Sequence, residues 1–170
     1  MPNVYLTGMM GSGKSVTGAS LARILNWDFV DLDKKIAQAQ GCTIAELFTR
    51  AGEAAFRDME EQALAAVSGE SKRVVATGGG VVTRDKNLNV MQHSGRIVYL
   101  KASLETLWSR VKDQKDRPLL NTANPQEALQ QIYLTRRPLY EDSCDFIVQT
   151  DGKTADATAR EIAVLLEMQV

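Results

Sequence analysis

The sequence predicts an α/β fold in which a parallel sheet is covered by helices on both faces. Short apolar segments are separated by longer segments with helical spacing, and the apolar segments lack the polar–apolar alternation of half-exposed strands. The first apolar segment is followed by a glycine-rich loop and then by a helical segment, which is the usual setting of a phosphate-binding loop. A chain of 170 residues is expected to form one domain.

Five apolar segments are the predicted strands: 4–7, 28–31, 73–76, 96–100 and 145–148. Helix starts are marked at Thr43 and Asn124, each of which precedes a glutamate by three residues, as an N-cap does in a capping box. The segment 32–72 is too long for one helix, and Gly41 and Gly52 divide it into two or three helices. Such an excursion is expected over the carboxyl ends of the strands, where α/β proteins bind substrates.

A second segment, residues 112–123, is polar and charged and shows neither helical nor strand spacing. It contains Pro118. A loop of this length in a compact domain is usually a lid or a disordered segment.

The segment from Gly8 to Ser15 has the spacing G-x-x-x-x-G-K-S of a P-loop. Its glycines allow successive backbone N–H groups to point toward one anion. Lys14 would reach the terminal phosphates of a nucleotide, and the Ser15 hydroxyl would ligate the accompanying Mg2+. The alternative is a glycine-rich turn with a solvated lysine, but the flanking strand and helix favour the P-loop.

Composition limits the classes of partner. There are 20 Lys and Arg against 21 Asp and Glu, and no basic block stands out, so we expect small-molecule partners and neither nucleic acid nor a membrane. No secretory signal or long apolar run is visible, which predicts a cytoplasmic protein. Cys42 and Cys144 match no zinc or redox spacing, and the single histidine, His93, is interpreted as structural.

Two carboxylates follow the second predicted strand. Alternation along a strand would point Asp31 and Asp33 to the same side, where one could serve Mg2+ and the other could hold the hydroxyl that accepts a phosphoryl group. The alternative is that they cap the following helix. Both interpretations remain open, and they are compatible.

A run of three glycines, Gly78–Gly80, follows the third predicted strand and would allow a close approach to the backbone, or serve as a flexible connector. Arginine can hold a carboxylate or a phosphate bidentately, so Arg57, Arg117, Arg136 and Arg137 are candidate ligands. Each of them, taken singly, fits a solvated surface residue as well.

Six motifs in a fixed order resemble those of the shikimate kinase family, and the resemblance covers essentially the whole chain. It implies the fold of nucleoside monophosphate kinases, with a five-stranded parallel sheet of order 2-3-1-4-5. A single kinase domain, 1–170, would contain a substrate-binding region at 32–60 and a lid at 112–124. The motifs are the P-loop, Asp31-Leu32-Asp33, Gly52-Glu53-x-x-Phe56-Arg57-x-x-Glu60, Thr77-Gly78-Gly79-Gly80, Arg117-Pro118-Leu119-Leu120 and Arg136-x-Pro138-Leu139-Tyr140.

The resemblance implies transfer of the γ-phosphoryl group of ATP to the 3-hydroxyl of shikimate, giving 3-phosphoshikimate and ADP. Three residues would be catalytic. Lys14 would bind the β- and γ-phosphates, Asp33 would hydrogen-bond the acceptor hydroxyl and is the candidate base, and Arg117 would move in with the lid. Ser15 and Asp31 would hold Mg2+.

The family likeness also implies the remaining contacts, for a protein that we expect to be a monomer. Glu60, three residues after Arg57, would orient the guanidinium. Shikimate would be bound by Asp33, Arg57, Gly78, Gly79, Gly80 and Arg136. The nucleotide would be bound by Gly11, Ser12, Gly13, Lys14, Ser15, Val16, Arg110, Arg117 and Lys153.

The chain departs from the family pattern after Ser15, where the family commonly has threonine and then an aliphatic residue but this chain has Val16-Thr17. If the family's threonine hydroxyl contributes to the phosphate cradle, the exchange would weaken nucleotide binding. Other interpretations remain open: another small-molecule kinase of this fold, such as a gluconate or nucleoside monophosphate kinase, or a non-catalytic nucleotide-binding module. The guanine-recognition signatures of a GTPase switch are not found in the sequence.

Overall fold

The computed structural model describes residues 2–168, whose strands form one five-stranded sheet with every pair parallel. The strand order is β2-β3-β1-β4-β5, which confirms the expected order. Each strand lies within one residue of its predicted position. The strands are β1 Asn3–Thr7, β2 Asp28–Asp31, β3 Arg73–Ala76, β4 Gly95–Lys101 and β5 Phe146–Gln149.

Helices connect these strands. The division of the segment after β2 is confirmed, because Gly41 ends one helix and Gly52, with φ of 81°, interrupts the next. Thr43 forms the full capping box with Glu46, and Asn124 accepts a hydrogen bond from the Glu127 amide. The α-helices are α1 Lys14–Leu25, α2 Leu32–Gln40, α3 Ile44–Ser68, α4 Asp85–Ser94, α5 Leu104–Val111, α6 Pro125–Ser143 and α7 Ala155–Glu167, with single 3-10 turns at Val81–Thr83 and Pro118–Leu120.

Both faces of the sheet are buried, as the uniformly apolar strands predict. On β1, Tyr5 faces a core shared with α2 to α6, whereas Leu6 faces a second core shared with α1 and α7. The same alternation holds on β4, where Ile97 and Val98 belong to different cores. No helix between residues 2 and 168 combines the length and the apolar composition that crossing a membrane requires.

The topology places the candidate residues at one edge of the sheet. The central strand β1 is flanked by β3 and β4, so the connections leaving β1 and its neighbours diverge at their carboxyl ends and open a crevice. The P-loop follows β1, α2 follows β2, and the glycine turn Gly78–Gly80 follows β3. These three segments therefore meet at the same edge although they are far apart in sequence.

Candidate active site

The P-loop is a glycine-dependent turn between β1 and α1. Gly8 and Gly11 have φ angles of 141° and 80°, a region that side chains disfavour. A Cβ atom at Gly8 would lie 2.6 Å from the Leu100 carbonyl oxygen, and one at Gly11 would lie 2.8 Å from Val111 Cγ1. Both positions therefore require glycine for conformation and for space.

The first turn of α1 presents free amides to this loop. The N-cap of α1 is Gly13, which supplies no side-chain acceptor, whereas α2, α3, α5, α6 and α7 each have an N-cap side chain that accepts a backbone hydrogen bond. The first N–H groups of a helix have no partner within the helix and attract anions. This geometry fits the phosphate-binding interpretation of the loop.

Lys14 lies across the P-loop. Its Nζ donates to the carbonyl oxygens of Gly8 at 2.7 Å and of Met9 at 2.9 Å. Burial lowers the pKa of this ammonium group to about 8, and the negative charge of Asp33 opposes that shift. Lys14 is therefore held beside the loop as a hydrogen-bond donor. Because its pKa is lowered, its ammonium group loses a proton more easily than that of an exposed lysine.

Asp31 serves as a helix cap and also faces the P-loop. Its Oδ1 accepts a hydrogen bond from the Lys34 amide at 3.1 Å, and its Oδ2 accepts one from Ser15 Oγ at 2.6 Å. Both interpretations of this residue from sequence are therefore compatible with the geometry. The prediction that Asp31 and Asp33 alternate along one strand is wrong, because β2 ends at Asp31 and Asp33 lies in the first turn of α2.

Asp33 nevertheless lies with Asp31 at the same cavity. Its Oδ1 is buried and, within residues 2–168, has no hydrogen-bond partner. Burial raises the pKa of the Asp33 carboxyl group, and the charge of Lys14 opposes that rise. An unpaired buried acceptor of this kind is costly unless a ligand satisfies it.

A buried ion pair forms the other side of the cavity. Arg57 and Glu60, both on α3, are 7% and 0% exposed, and Arg57 Nη1 lies 2.9 Å from Glu60 Oε2. Arg57 Nη2 also lies 3.2 Å from Glu53 Oε1. Burial raises the pKa of Glu60, and the Arg57 charge opposes the rise. Two carboxylates thus hold the guanidinium in one orientation.

The glycine turn makes room for this ion pair. A Cβ atom at Gly78 would overlap Glu60 Oε1, and one at Gly80 would overlap the Arg57 guanidinium. The sequence predicts a close approach to this backbone, and the structure shows that two side chains of α3 make it. Gly79 differs, because a Cβ there would make only ordinary contacts at 3.6 Å with Arg136 Nη1 and the P-loop backbone.

Arg136 is 7% exposed on α6 and lines the same cavity. Arg117 also lines it, from the segment between α5 and α6, where its Nε donates to Gln114 Oε1 at 2.8 Å. The cavity has a volume of about 480 Å³. Its polar lining includes Ser15, Asp31, Asp33, Lys34, Arg57, Asp116, Arg117 and Arg136, and its apolar lining includes Met10, Ala37, Ile44, Phe48, Phe56, Pro118 and Leu119.

Most of the residues expected to bind nucleotide do not line this cavity, among them Arg110, Lys153 and Val16. Arg110 Nη1 donates to the Gly11 carbonyl oxygen at 2.9 Å, so it contacts the P-loop from α5. Lys153 Nζ lies 2.5 Å from Glu161 Oε2 on α7. Val16 is 62% exposed on α1, whereas the Thr17 side chain is buried. The exchanged pair therefore presents an apolar side chain at the surface.

Two residues that the sequence did not indicate, Tyr140 and Glu53, also contact the site. Tyr140 is fully buried, and its hydroxyl donates to the Gly79 carbonyl oxygen. Glu53 contacts Arg57 one helical turn later. Helical spacing was the available signal in both cases, because Tyr140 follows Arg136 by four residues and Glu53 precedes Arg57 by four.

The chain is similar to known proteins along nearly its whole length. A family model described as shikimate kinase matches residues 10–167. The shikimate kinase of Thermodesulfovibrio yellowstonii is 41% identical over 162 residues, which span 95% of this chain and 93% of that protein. The shikimate kinase of Synechococcus sp. strain CC9902 is 47% identical over 165 residues, which span 96% of this chain and 85% of that protein.

A solved structure agrees with these relatives. The shikimate kinase from Acinetobacter baumannii, in complex with shikimate, superposes with a TM-score of 0.96 at 34% identity and covers 99% of this chain and 94% of that one. The chain therefore belongs to the shikimate kinase family.

Proposed function

We propose that the chain transfers the γ-phosphoryl group of ATP to the 3-hydroxyl of shikimate through the residues that meet at this cavity. Its family membership makes it an ATP-dependent kinase that acts on shikimate. One observation supports the residue assignment most strongly: a single cavity is lined by Ser15 and Asp31 of the phosphate side, by Asp33, and by the buried guanidinium groups of Arg57 and Arg136. A nucleotide phosphate and a hydroxylated acid would meet there.

The acceptor side matches the two kinds of polar group on shikimate. Arg57 and Arg136 offer paired N–H donors to its carboxylate, and the Glu53 and Glu60 contacts orient the first of these guanidinium groups. Asp33 offers the acceptor hydroxyl its Oδ1 atom, which has no partner in the part of the chain that the structure describes. Backbone groups of Gly78, Gly79 and Gly80 line the same cavity and are proposed as further shikimate contacts.

The nucleotide side is proposed to be the P-loop. Amides of Gly11, Ser12, Gly13 and the first turn of α1, Val16 included, would surround the phosphates. Lys14 would exchange its two carbonyl contacts for the β- and γ-phosphates, which are stronger acceptors. Phosphate charge would also favour the ammonium form of this lysine.

Ser15 and Asp31 are proposed to hold Mg2+. The Ser15 hydroxyl oxygen and an Asp31 carboxylate oxygen lie 2.6 Å apart. Two oxygen ligands so close together suit a small hard cation. Mg2+ bound there would neutralise phosphate charge during the transfer. Ser15 would then ligate through its oxygen, and Asp31 would keep its cap contact with the Lys34 amide through the other oxygen.

The segment 112–124 is proposed as a lid that brings Arg117 to the transferring group and excludes water. Arg110 and Lys153 are proposed to flank the nucleotide farther from the phosphates. For Lys153 this requires exchange of its present contact with Glu161. Arg110 already contacts the P-loop through Gly11.

The proposed reaction needs no covalent intermediate. The 3-hydroxyl oxygen bonds to the γ-phosphorus while the bond from that phosphorus to the β–γ bridging oxygen breaks, which releases ADP. Asp33 accepts the hydrogen bond of the hydroxyl and is the candidate acceptor of its proton. Its raised pKa brings this carboxylate closer to the range of an effective base. Lys14 and Arg117 would offset the negative charge of the transferring group.

A coupled assay of ADP release, with shikimate present and absent, tests the proposal. We expect release that depends on shikimate, that is lost in Lys14→Ala and that persists in Lys35→Ala, whose lysine is exposed on α2 outside the cavity. ADP release with gluconate in place of shikimate tests a second hydroxylated acid that an arginine-lined site could bind. Release without shikimate, or faster release with gluconate, would contradict the proposal.

The wider setting is also proposed. We expect a monomeric, single-domain kinase in the cytoplasm, with a small-molecule acceptor and neither nucleic acid nor a membrane as a partner. The nearly balanced charge of the chain supports the last expectation. Light scattering coupled to gel filtration would test the monomer, and a stable dimer would contradict it.

A further inference from the structure

The hydroxyl of Tyr140 lies where the glycine turn meets the P-loop. It donates to the Gly79 carbonyl oxygen and lies 3.8 Å from the sulfur of Met9. The ring is fully buried and stacks on Tyr99, with ring centroids 5.0 Å apart and an interplanar angle of 20°. Because burial raises the pKa of Tyr140 to about 12, the hydroxyl remains a donor at neutral pH. Packing thus holds the Tyr140 hydroxyl against the Gly79 carbonyl.

Fixing that carbonyl also fixes the next amide. The peptide bond between Gly79 and Gly80 is trans, so its C=O and N–H groups point in opposite directions. With the Gly79 carbonyl turned toward Tyr140, the Gly80 N–H points away from α6. Glycines adopt many backbone conformations, so this peptide depends on an external contact for its orientation.

The Cα atom of Gly80 lies next to Arg57. A side chain at Gly80 would overlap the Arg57 guanidinium, so the two groups are in close contact. The backbone hydrogen bonds of the turn run from the Val81 amide to Gly78 and from the Thr83 amide to Gly80, and within residues 2–168 none uses the Gly80 N–H. Among the described residues this donor therefore has no backbone partner, and its residue lines the same cavity as Arg57.

We propose that Tyr140 is a positioning residue, whose hydroxyl holds the Gly79–Gly80 peptide so that the Gly80 N–H donates to the carboxylate of the acceptor. The inference rests on the proposed function, because it needs an acceptor carboxylate beside Arg57. Arg136 lies one helical turn before Tyr140, so one helix would supply a direct contact and also orient a backbone contact.

The first test is Tyr140→Phe, which removes the hydroxyl and keeps the stacked ring. We expect kcat/KM for shikimate to fall about tenfold or more, as for loss of a hydrogen bond to a charged group, with KM for ATP unchanged. Tyr5→Phe is the matched control. That hydroxyl is also buried, but it contacts Ser68 Oγ at 2.7 Å and Ser94 Oγ at 2.6 Å at the far end of β1. Tyr5→Phe should lower Tm and leave kcat/KM for shikimate unchanged.

The second test uses shikimate methyl ester, which lacks the negative charge that the amide would bind. Tyr140→Phe should reduce kcat/KM for shikimate much more than for the ester. An equal reduction for both acceptors, a rise in KM for ATP, or a change in Tm alone would overturn the inference. Failure of the proposed function would give a different result, because the unaltered chain would then release no ADP in response to shikimate. That result would refute both proposals.

Discussion

Activity at alkaline pH should depend on the protonation of Lys14. Burial lowers the pKa of its ammonium group from 10.5 to about 8. The proposed role requires the charged form, so a lowered pKa means that nucleotide capture is lost as pH rises through this value. The charged fraction falls from roughly 90% at pH 7 to roughly 10% at pH 9, and by about tenfold for each further pH unit. The surrounding charges that set this pKa are Asp33, Asp31, Arg117 and Arg136.

The measurement is kcat/KM for ATP from about pH 6 to about pH 10 at saturating shikimate, because this ratio reports ionisations of the form that has not yet bound ATP. We expect a decline that is half complete near pH 8. At saturating ATP, kcat should persist to higher pH, since bound phosphates favour the ammonium form. The control is Lys14→Arg, whose guanidinium remains charged throughout this range and whose residual activity should lack the decline. A flat kcat/KM up to about pH 9.5, or the same decline in Lys14→Arg, would refute the reasoning.

Three substitutions test other parts of the site. Gly80→Ala should raise KM for shikimate about tenfold or more, because its methyl group would displace the Arg57 guanidinium. Gly69→Ala is the control and should leave this KM unchanged, because a Cβ atom there meets only an ordinary contact at 3.6 Å. Asp31→Asn should raise the Mg2+ concentration needed for half-maximal rate about tenfold while KM for shikimate stays constant, and an unchanged Mg2+ titration would argue against this ligand. Arg117→Ala should lower kcat by on the order of 10²-fold with ADP affinity nearly unchanged in calorimetry, and a near-normal kcat would remove its proposed role.

The buried ion pair on α3 explains why the glycine turn lacks side chains. Glu60 and Arg57 occupy the space that side chains at Gly78 and Gly80 would need. The turn and the helix therefore depend on each other for their packing. A substitution in the turn is expected to act on the acceptor site through Arg57, even where the new side chain does not touch the acceptor.

Features encoded by neighbouring residues were predicted well. The strands, the P-loop and the caps at Thr43 and Asn124 depend on short-range spacing, which a single sequence displays directly. Asp33 shows the limit of such reasoning. Strand alternation does not apply to it, since the strand ends at Asp31, yet packing of α2 still brings its carboxylate to the cavity.

Contacts between segments that are distant in sequence were harder to predict from the sequence. The sequence indicates that something approaches the glycine turn, but which groups do so depends on how α3 packs beside that turn. The role of Tyr140 likewise depends on a contact between α6 and the turn. Lys153 has a nearby acidic partner on α7, Glu161, which family motifs did not indicate.

Backbone propensity and short-range spacing encode the α/β class, the strand segments and the P-loop, so these features can be predicted from the sequence. Family motifs in order added the strand order and the acceptor. The packing of distant segments places Lys14 on two P-loop carbonyls and turns Tyr140 toward the Gly79 carbonyl. It also leaves one buried Asp33 oxygen without a partner among residues 2–168. Burial and the exclusion of water depend on the packing of segments far apart in sequence, and these conditions set the pKa values and unsatisfied donors and acceptors of the site.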